Sequence, residues 1–443
     1  MSTLRRYQQQ GVDFLVSHPR ALLGDEPGLG KTAQAIGLIN SLLEEALGSF
    51  LIICPAGLRL NWLNEVRLWA TGKPSVSVLT GQLVAGSQIN SPLFTEIVIV
   101  SYNMLSTYHN ALRQVEWEAV IVDEAHYMQS LDSQRTIEIR GGWGKAPIPT
   151  KRKIAMTGTP LRNRPINLYP ILKWLEVPWA TKELHFGNHY CGGEEKQFRG
   201  ATNIEELNQK LKTVMLRRTK AEVLGELPPK TRQIIELDID ADTFKAAKKE
   251  EESILDEAGV SFEDVVSSLS GPQINLTDEG VVARLRRNTG EAKVKAAAAY
   301  IAEMLESHDK ILVFAHHRGV ITELREMIYS LTQVMPVVIV GGMTDGLKNE
   351  SVEYFQNHAK QAVLIGQIEA AGVGLTLTAA SLVIFVEQSW VPGDNTQAED
   401  RLHRIGQTAE NIYAQYLVLN NTLDAHIARS NVAKQAVIDA VLA

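Results

Sequence analysis

Gly24-Asp-Glu-Pro-Gly-Leu-Gly-Lys31-Thr32 stands between a short apolar run at 21–23 and a stretch in which Ile36, Ile39, Leu43 and Leu47 recur at helical spacing. A glycine-rich turn between a strand and a helix lets backbone N–H groups close around phosphate oxygens, and the helix N-terminus adds a favourable dipole. Lys31 is then placed to reach β- and γ-phosphates, and the Thr32 hydroxyl to hold Mg²⁺. The loop residues Asp25, Glu26, Gly28, Leu29, Gly30, Lys31 and Thr32 are therefore expected to bind nucleotide. One position departs from the general pattern: Asp25 stands where glycine is usual, five residues before Gly30.

Outward from this loop, apolar runs follow at 50–54, 97–100, 119–122 and 154–156, and a second set at 311–314, 337–340, 362–365 and 382–386. Amphipathic stretches separate them, which predicts an α/β fold with parallel sheets in two lobes. The expected domains are 1–230, with a helical insertion near 177–215, a connector at 231–290, and 291–443. Within the connector, residues 244–258 read as a charged helix with Lys248 and Glu252 paired at i,i+4.

The run at 119–122 leads directly into Asp123-Glu124-Ala125-His126. Carboxylates at the carboxyl end of a buried parallel strand sit where open α/β sheets bind ligands. Asp123 is suited to holding Mg²⁺ through water, and Glu124 to orienting and deprotonating an attacking water. Together with Lys31 and Thr32 this pair predicts an ATPase using ATP and Mg²⁺. Near the end of the chain, a helix starting at or near Asp394 would put Gln397, Arg401 and Arg404 on one face at i, i+4 and i+7. Such arginines, supplied from another lobe, stabilise the charge of a phosphoryl transition state.

The composition narrows the partners. With 443 residues, 45% hydrophobic and 21% charged, the chain has the profile of a soluble protein with a full core and room for two or three domains. No apolar run reaches the roughly 18 residues of a membrane helix, and the N-terminus lacks a signal-like stretch. The expectation is therefore a cytoplasmic protein with no membrane partner, nuclear if the source is eukaryotic, with a bacterial or viral source favoured by the short chain. Only Cys54 and Cys191 are present, too few for a disulfide framework or a Cys-built zinc site. The net charge of −7 is uneven: residues 1–230 carry 26 basic and 21 acidic side chains, and residues 231–443 carry 18 and 30. A surface for nucleic-acid phosphates is thus expected to be local and in the first half.

Taken together, these motifs resemble the SWI/SNF-type DNA translocases of helicase superfamily two, over nearly the whole chain. Leu4-Arg-Arg-Tyr-Gln8 resembles the family's adenine-recognising start, with Gln8 as the adenine contact. Cys54-Pro55 with Asn61-Trp62 resembles the motif that lies along one DNA strand, and Ser101-Tyr102 its neighbour. Residues 157–161, with Thr159, resemble the segment coupling nucleotide to DNA. Residues 215–220 and 227–230 resemble the passage between lobes. Residues 372–378, with Gly374 toward nucleotide and Thr376 toward DNA, and 401–407 complete the second lobe. Residues 163–169, 314–317 and 397–404 look most like the annealing-helicase branch, although no stretch of this sequence reads as the basic-aromatic accessory domains of its larger members.

The resemblance implies two RecA-like lobes of the P-loop NTPase type and a DNA-dependent ATPase. It also implies a partner of duplex or branched DNA, a role in remodelling or reannealing DNA or displacing bound proteins, and a DNA-repair context. His316, His317 and Trp390 fall at positions it places near DNA. A monomer is expected, and protein partners are not readable. Arg284-Leu-Arg286-Arg287 with Lys293 and Lys295 is the densest basic cluster of the acidic half, suited either to phosphates or to anchoring the connector. Two other readings share some of these features: a strand-separating DNA or RNA helicase, and a non-catalytic nucleic-acid-binding scaffold.

Overall fold

A computed structural model describes residues 3–44, 48–80, 95–128, 130–192, 198, 200–224, 227–270, 276–358, 360–371, 375–404 and 406–442. The chain divides into two compact units, residues 1–225 with 438–443, and residues 226–437.

In the first unit the strands are β1 (Arg20–Leu23), β2 (Ser49–Cys54), β3 (Val76–Val78), β4 (Ile97–Ser101), β5 (Trp117–Asp123), β6 (Thr150–Met156) and β7 (Met215–Leu216). They form one sheet in the order β3-β4-β2-β5-β6-β1-β7, with every pairing parallel. The central strands β2, β4 and β5 are buried along nearly their whole length. This is why they read as continuous apolar runs rather than as alternation. Phe50, Ile52, Ile97, Ile99, Ala119 and Ile121 share one core with Ile36 and Ile39 of the helix Lys31–Glu44.

The second unit holds β8 (Lys230–Glu236), β9 (Lys310–Ala315), β10 (Val337–Ile339), β11 (Ala362–Gln367), β12 (Leu382–Phe385) and β13 (Ile412–Val418). Their order is β10-β11-β9-β12-β13-β8, again all parallel. Apolar cores cover both faces of this sheet.

Residues 231–290, expected as a separate connector, belong instead to this compact unit. Lys230–Glu236 pairs in full register with Ile412–Val418 as an edge strand. Its sequence, Lys-Thr-Arg-Gln-Ile-Ile-Glu, is mostly exposed and lacks the apolar run that marks a buried strand. The helix Leu276–Met304 runs unbroken past residue 290. The expected charged helix is present as Ala241–Ala258, capped by Asp240 and ended by left-handed Gly259. Lys248 pairs within it at i,i+3 with Glu251, at 2.5 Å, rather than with Glu252. In the first unit, helices Glu183–Tyr190 and Ile204–Leu211 occupy the expected insertion. No helix among the described residues is long and apolar enough to cross a membrane.

Candidate functional site

The carboxyl end of β1 opens into the phosphate loop, and the carboxyl end of β5 presents the acid pair. Lys31 begins the helix Lys31–Glu44, so Gly24–Gly30 is the whole connection between strand and helix. Gly30 has φ +75°, and a Cβ there would lie 2.3 Å from Gln8 Nε2, so only glycine fits. Gln8 and Tyr7 both donate to the Leu29 carbonyl, at 3.3 and 3.2 Å, which packs the N-terminal helix onto the loop. Lys31 Nζ donates to the carbonyls of Asp25, at 2.6 Å, and Glu26, at 3.3 Å. Burial lowers the Lys31 pKa, opposed by the charges of Glu124, Asp25 and Asp123.

Asp25 accounts for its own departure from the glycine pattern. It is wholly buried, and its carboxylate accepts from Arg218 Nε at 3.0 Å, from Arg218 Nη2, and from Gln34 Nε2 at 3.0 Å. Arg218 also donates to Gln34 Oε1 and the Tyr7 carbonyl, and lies 5.3 Å from the Tyr7 ring centre. Glu26 is engaged too, its carboxylate accepting from the Lys220 backbone N–H at 2.8 Å. Both acidic side chains of the loop thus tie it to residues 218–220 rather than facing a ligand. Sequence reasoning did not single out Arg218 and Gln34; the aspartate in place of glycine was the available signal.

Asp123 is held from two sides. Trp62 Nε1 donates to Asp123 Oδ2 at 2.8 Å, and the Tyr102 hydroxyl donates to the Asp123 carbonyl at 2.8 Å. Burial and the neighbouring charge of Glu124 push the Asp123 carboxyl up to about 7, against the Trp62 hydrogen bond and Lys31. Glu124 adopts a left-handed backbone, φ 49° and ψ 49°, uncommon for a non-glycine residue and a recurrent feature of functional sites. His126 Nδ1 lies 3.2 Å from Glu124 Oε2 and 2.9 Å from Thr157 Oγ1, and Thr157 Oγ1 accepts from the Thr159 N–H at 3.1 Å. A Cβ on Gly158 would sit 2.5 Å from Pro27, so this segment presses on the phosphate loop as well. Residues 157–159 therefore touch both halves of the site.

Trp62 and Tyr102, expected along DNA, are the residues that make these contacts to Asp123. Trp62 has no exposed surface and Tyr102 is 5% exposed, because each is turned inward to hold Asp123. Ser101 and Thr159 are also buried, whereas Asn61 is exposed and Pro55 half-buried.

The arginine segment lies in the second unit. The expected helix through Arg404 is shorter: it spans Pro392–Glu399, starts with Pro392 in its first turn after Val391 rather than at an Asp394 cap, and ends at Asp400. Arg401 and Arg404 consequently do not share a helical face, yet both converge on the Leu375 carbonyl, at 3.2 and 3.0 Å. Arg404 also donates to Thr376 Oγ1 at 3.1 Å. Gly374 lies outside the described residues. The segment is anchored by a buried network that sequence reasoning missed. Glu399 accepts two bonds of 2.7 Å from Arg232, one of 2.7 Å from Tyr416, and pairs with Lys230 at 2.8 Å. His403 reaches the Pro228 carbonyl at 3.0 Å.

His316 and His317, expected near DNA, are held in place by Glu387. Their backbone N–H groups and the His317 ring are clamped by Glu387, at 2.8, 2.9 and 2.6 Å. Burial, Arg286 and His317 push His316 down to about 4, so it is neutral at pH 7. Trp390 lies under the guanidinium of Arg286, 4.9 Å from the ring centre. The remaining basic cluster is taken up within the same unit: Arg284 pairs with Glu257, Arg287 with Glu291, and Lys293 with Asp424.

The sequence profile of the SNF2-related domain matches residues 7–280, more than half of the chain, and that of the helicase conserved C-terminal domain matches residues 292–406. The chain belongs to the SNF2-related family. Among curated relatives, this SNF2-related chain is 34% identical over 436 residues to the DNA annealing helicase and endonuclease ZRANB3 of Bos taurus, covering 94% of this chain and 38% of that protein. It is 31% identical to the SWI/SNF-related matrix-associated actin-dependent regulator of chromatin subfamily A-like protein 1 of Xenopus tropicalis, over 96% of this chain and 43% of that one. The chain thus spans about two-fifths of the length of these relatives. A solved SWI2/SNF2 ATPase core of Sulfolobus solfataricus, in complex with dsDNA, is 22% identical with a TM-score of 0.48, covering 99% of this chain and 92% of that one.

Proposed function

We propose that this SNF2-related chain is an ATP-driven motor that translocates on duplex DNA and so remodels or reanneals DNA or displaces bound proteins. The observation that carries the reading is the meeting of the phosphate loop with an acid pair whose Asp123 is fixed by Trp62 and Tyr102. The donor set fits the nucleotide and its metal. It offers a lysine and a helix N-terminus for phosphates, and a hydroxyl and a carboxylate, both hard oxygen ligands, for Mg²⁺.

Lys31 would hold the phosphates and Thr32 the metal from the loop, and Asp123 would hold the metal from β5. Glu124 accepts the proton of the attacking water as the bond to the terminal phosphoryl group breaks, giving ADP and phosphate. The chemistry Mg²⁺ would supply at this site is positive charge against the phosphate oxygens. Arg401 and Arg404 are the cations we assign to the transition state. Gln8, with its amide beside the loop, is assigned to the base. The relatives named above, one called a DNA annealing helicase, support DNA as the track.

The test is Mg²⁺-dependent ATP turnover with no nucleic acid and with duplex DNA, forked DNA, single-stranded DNA and RNA. A low basal rate raised strongly by duplex DNA is expected. Stimulation by single strands or RNA but not by duplex overturns the reading in favour of a strand-separating helicase. Absence of turnover leaves a binding scaffold.

A further inference from the structure

Trp143 is the most exposed large apolar side chain among the described residues, at 80%, and the backbone that carries it is unusual. Gly142 and Lys145 exchange both backbone hydrogen bonds, at 2.8 and 2.9 Å, closing a two-residue hairpin turn. The turn residues Trp143 and Gly144 both have positive φ, 50° and 81°. Turns of this type take Asn, Asp or Gly at the first position, because a bulky side chain there is strained. A turn shaped only for closure has no use for tryptophan. Here the strained position holds an indole out in solvent, and its N–H is fixed at 3.2 Å from Asp132 Oδ1.

Asp132 immediately precedes Ser133, and Ser133 lines a cavity of about 390 Å³. Tyr102, Tyr127 and Arg135 line the same cavity. The two tyrosine rings are 5.6 Å apart, and the Arg135 guanidinium is 5.4 Å from the Tyr127 ring centre. Tyr102 carries its hydroxyl to the Asp123 carbonyl. An occupant of this cavity therefore touches a side chain that holds the acid pair. The surrounding stretch 134–153 has six basic residues and one acidic residue, Glu138, which is buried against His109 and Lys145. Some of its cations are paired, Lys151 with Glu118 and Lys153 with Glu176, while Arg135 is exposed at the cavity. Aromatic faces beside cations fit an unstacked nucleobase and its phosphate, since every base has a π-face and the interaction is tolerant of sequence.

We propose that Trp143, together with Tyr127 and Arg135 of the cavity lined by Ser133, forms a stacking site for an unpaired base of gapped or branched DNA. The site rests on the reading of the chain as a DNA motor, and gives it a means of telling a discontinuity from continuous duplex. The tip touches nothing in the core, so Trp143→Ala leaves the fold and the duplex-stimulated ATPase unchanged.

The experiment uses the full chain with duplex DNA and with the same duplex carrying a short single-stranded gap with 2-aminopurine in the gap. Wild type is expected to bind the gapped DNA more tightly than duplex and to quench the 2-aminopurine by stacking. Trp143→Ala is expected to lose roughly 5- to 160-fold in gap affinity, the range for one stacked base, together with the quenching. Trp143→Phe retains most of both, and Arg135→Ala weakens gap binding without changing duplex-stimulated turnover. Undiminished gap binding in Trp143→Ala, or equal weakening on gapped and intact duplex, overturns the stacking site while leaving the motor intact. The former result would point the exposed indole to a protein partner instead. Absence of any DNA-stimulated turnover in wild type fails the motor reading itself, and the stacking site with it.

Discussion

Replacing Trp62 with Phe deletes the indole N–H that donates to Asp123 Oδ2 while keeping a buried ring in its place. A hydrogen bond to a charged group contributes roughly 1.5–3 kcal/mol, so kcat is expected to fall by about tenfold or more. Affinity for duplex DNA without nucleotide should not change, because Trp62 has no exposed surface. The opposite pattern, lost DNA affinity at unchanged kcat, would restore Trp62 to the DNA. The chemistry residues separate in the same way. Lys31→Ala should weaken both nucleotide binding and turnover, since it removes a phosphate counter-charge. Glu124→Gln should bind nucleotide and stall, since an amide cannot accept the water's proton. Arg404→Ala should lower kcat by roughly 10³-fold or more with little change in ATP affinity, as expected of a group acting in the transition state. Equilibrium nucleotide binding and steady-state rates on the same three proteins decide each assignment.

At the scale of elements, two buried ion networks hold the segments that bear the chemistry. Arg218→Met strands the Asp25 carboxylate, which is wholly buried under the phosphate loop. Removing one partner of a buried pair costs about 3–5 kcal/mol, so thermal denaturation should show a fall of several degrees, and an unchanged midpoint would contradict the anchoring role. In the second unit, burial alone would raise the Glu399 carboxyl, but Lys230 and Arg232 outweigh it and hold it at about 2. Because that value lies below the unfolded one of about 4.3, its contribution to stability is complete above that pH and is lost as pH falls toward 2. Glu399→Gln should therefore flatten this part of an acid-unfolding curve followed by circular dichroism between pH 5 and 2. These networks were the least legible part of the sequence. The buried parallel strands announced themselves as apolar runs, and Lys31, Thr32, Asp123 and Glu124 could be read from motif spacing. Lys230–Glu236 does not read as a strand because a mostly exposed edge needs no apolar pattern. Arg218 and Asp25 stand 193 positions apart, a separation that local periodicity does not register. Helical spacing at 397, 401 and 404 does not show that the helix ends at Asp400.

For the whole molecule, an excess of 26 basic over 21 acidic side chains in residues 1–230 faces a deficit of 18 against 30 in the remainder. A chain so acidic overall can neutralise only a few phosphates. Each neutralised phosphate adds about 0.9 to the slope of log K against log salt, so a slope of roughly three to five is expected on duplex DNA. A slope near ten would show a larger basic track than the charge distribution provides. The central claim is that ATP hydrolysis at this site drives movement along duplex DNA, and displacement of a third strand from a DNA triplex measures that movement most directly. Wild type with ATP and Mg²⁺ is expected to release the third strand, while Glu124→Gln with ATP, or wild type without ATP, leaves it in place. Full DNA-stimulated ATP turnover with the third strand still bound would contradict the account.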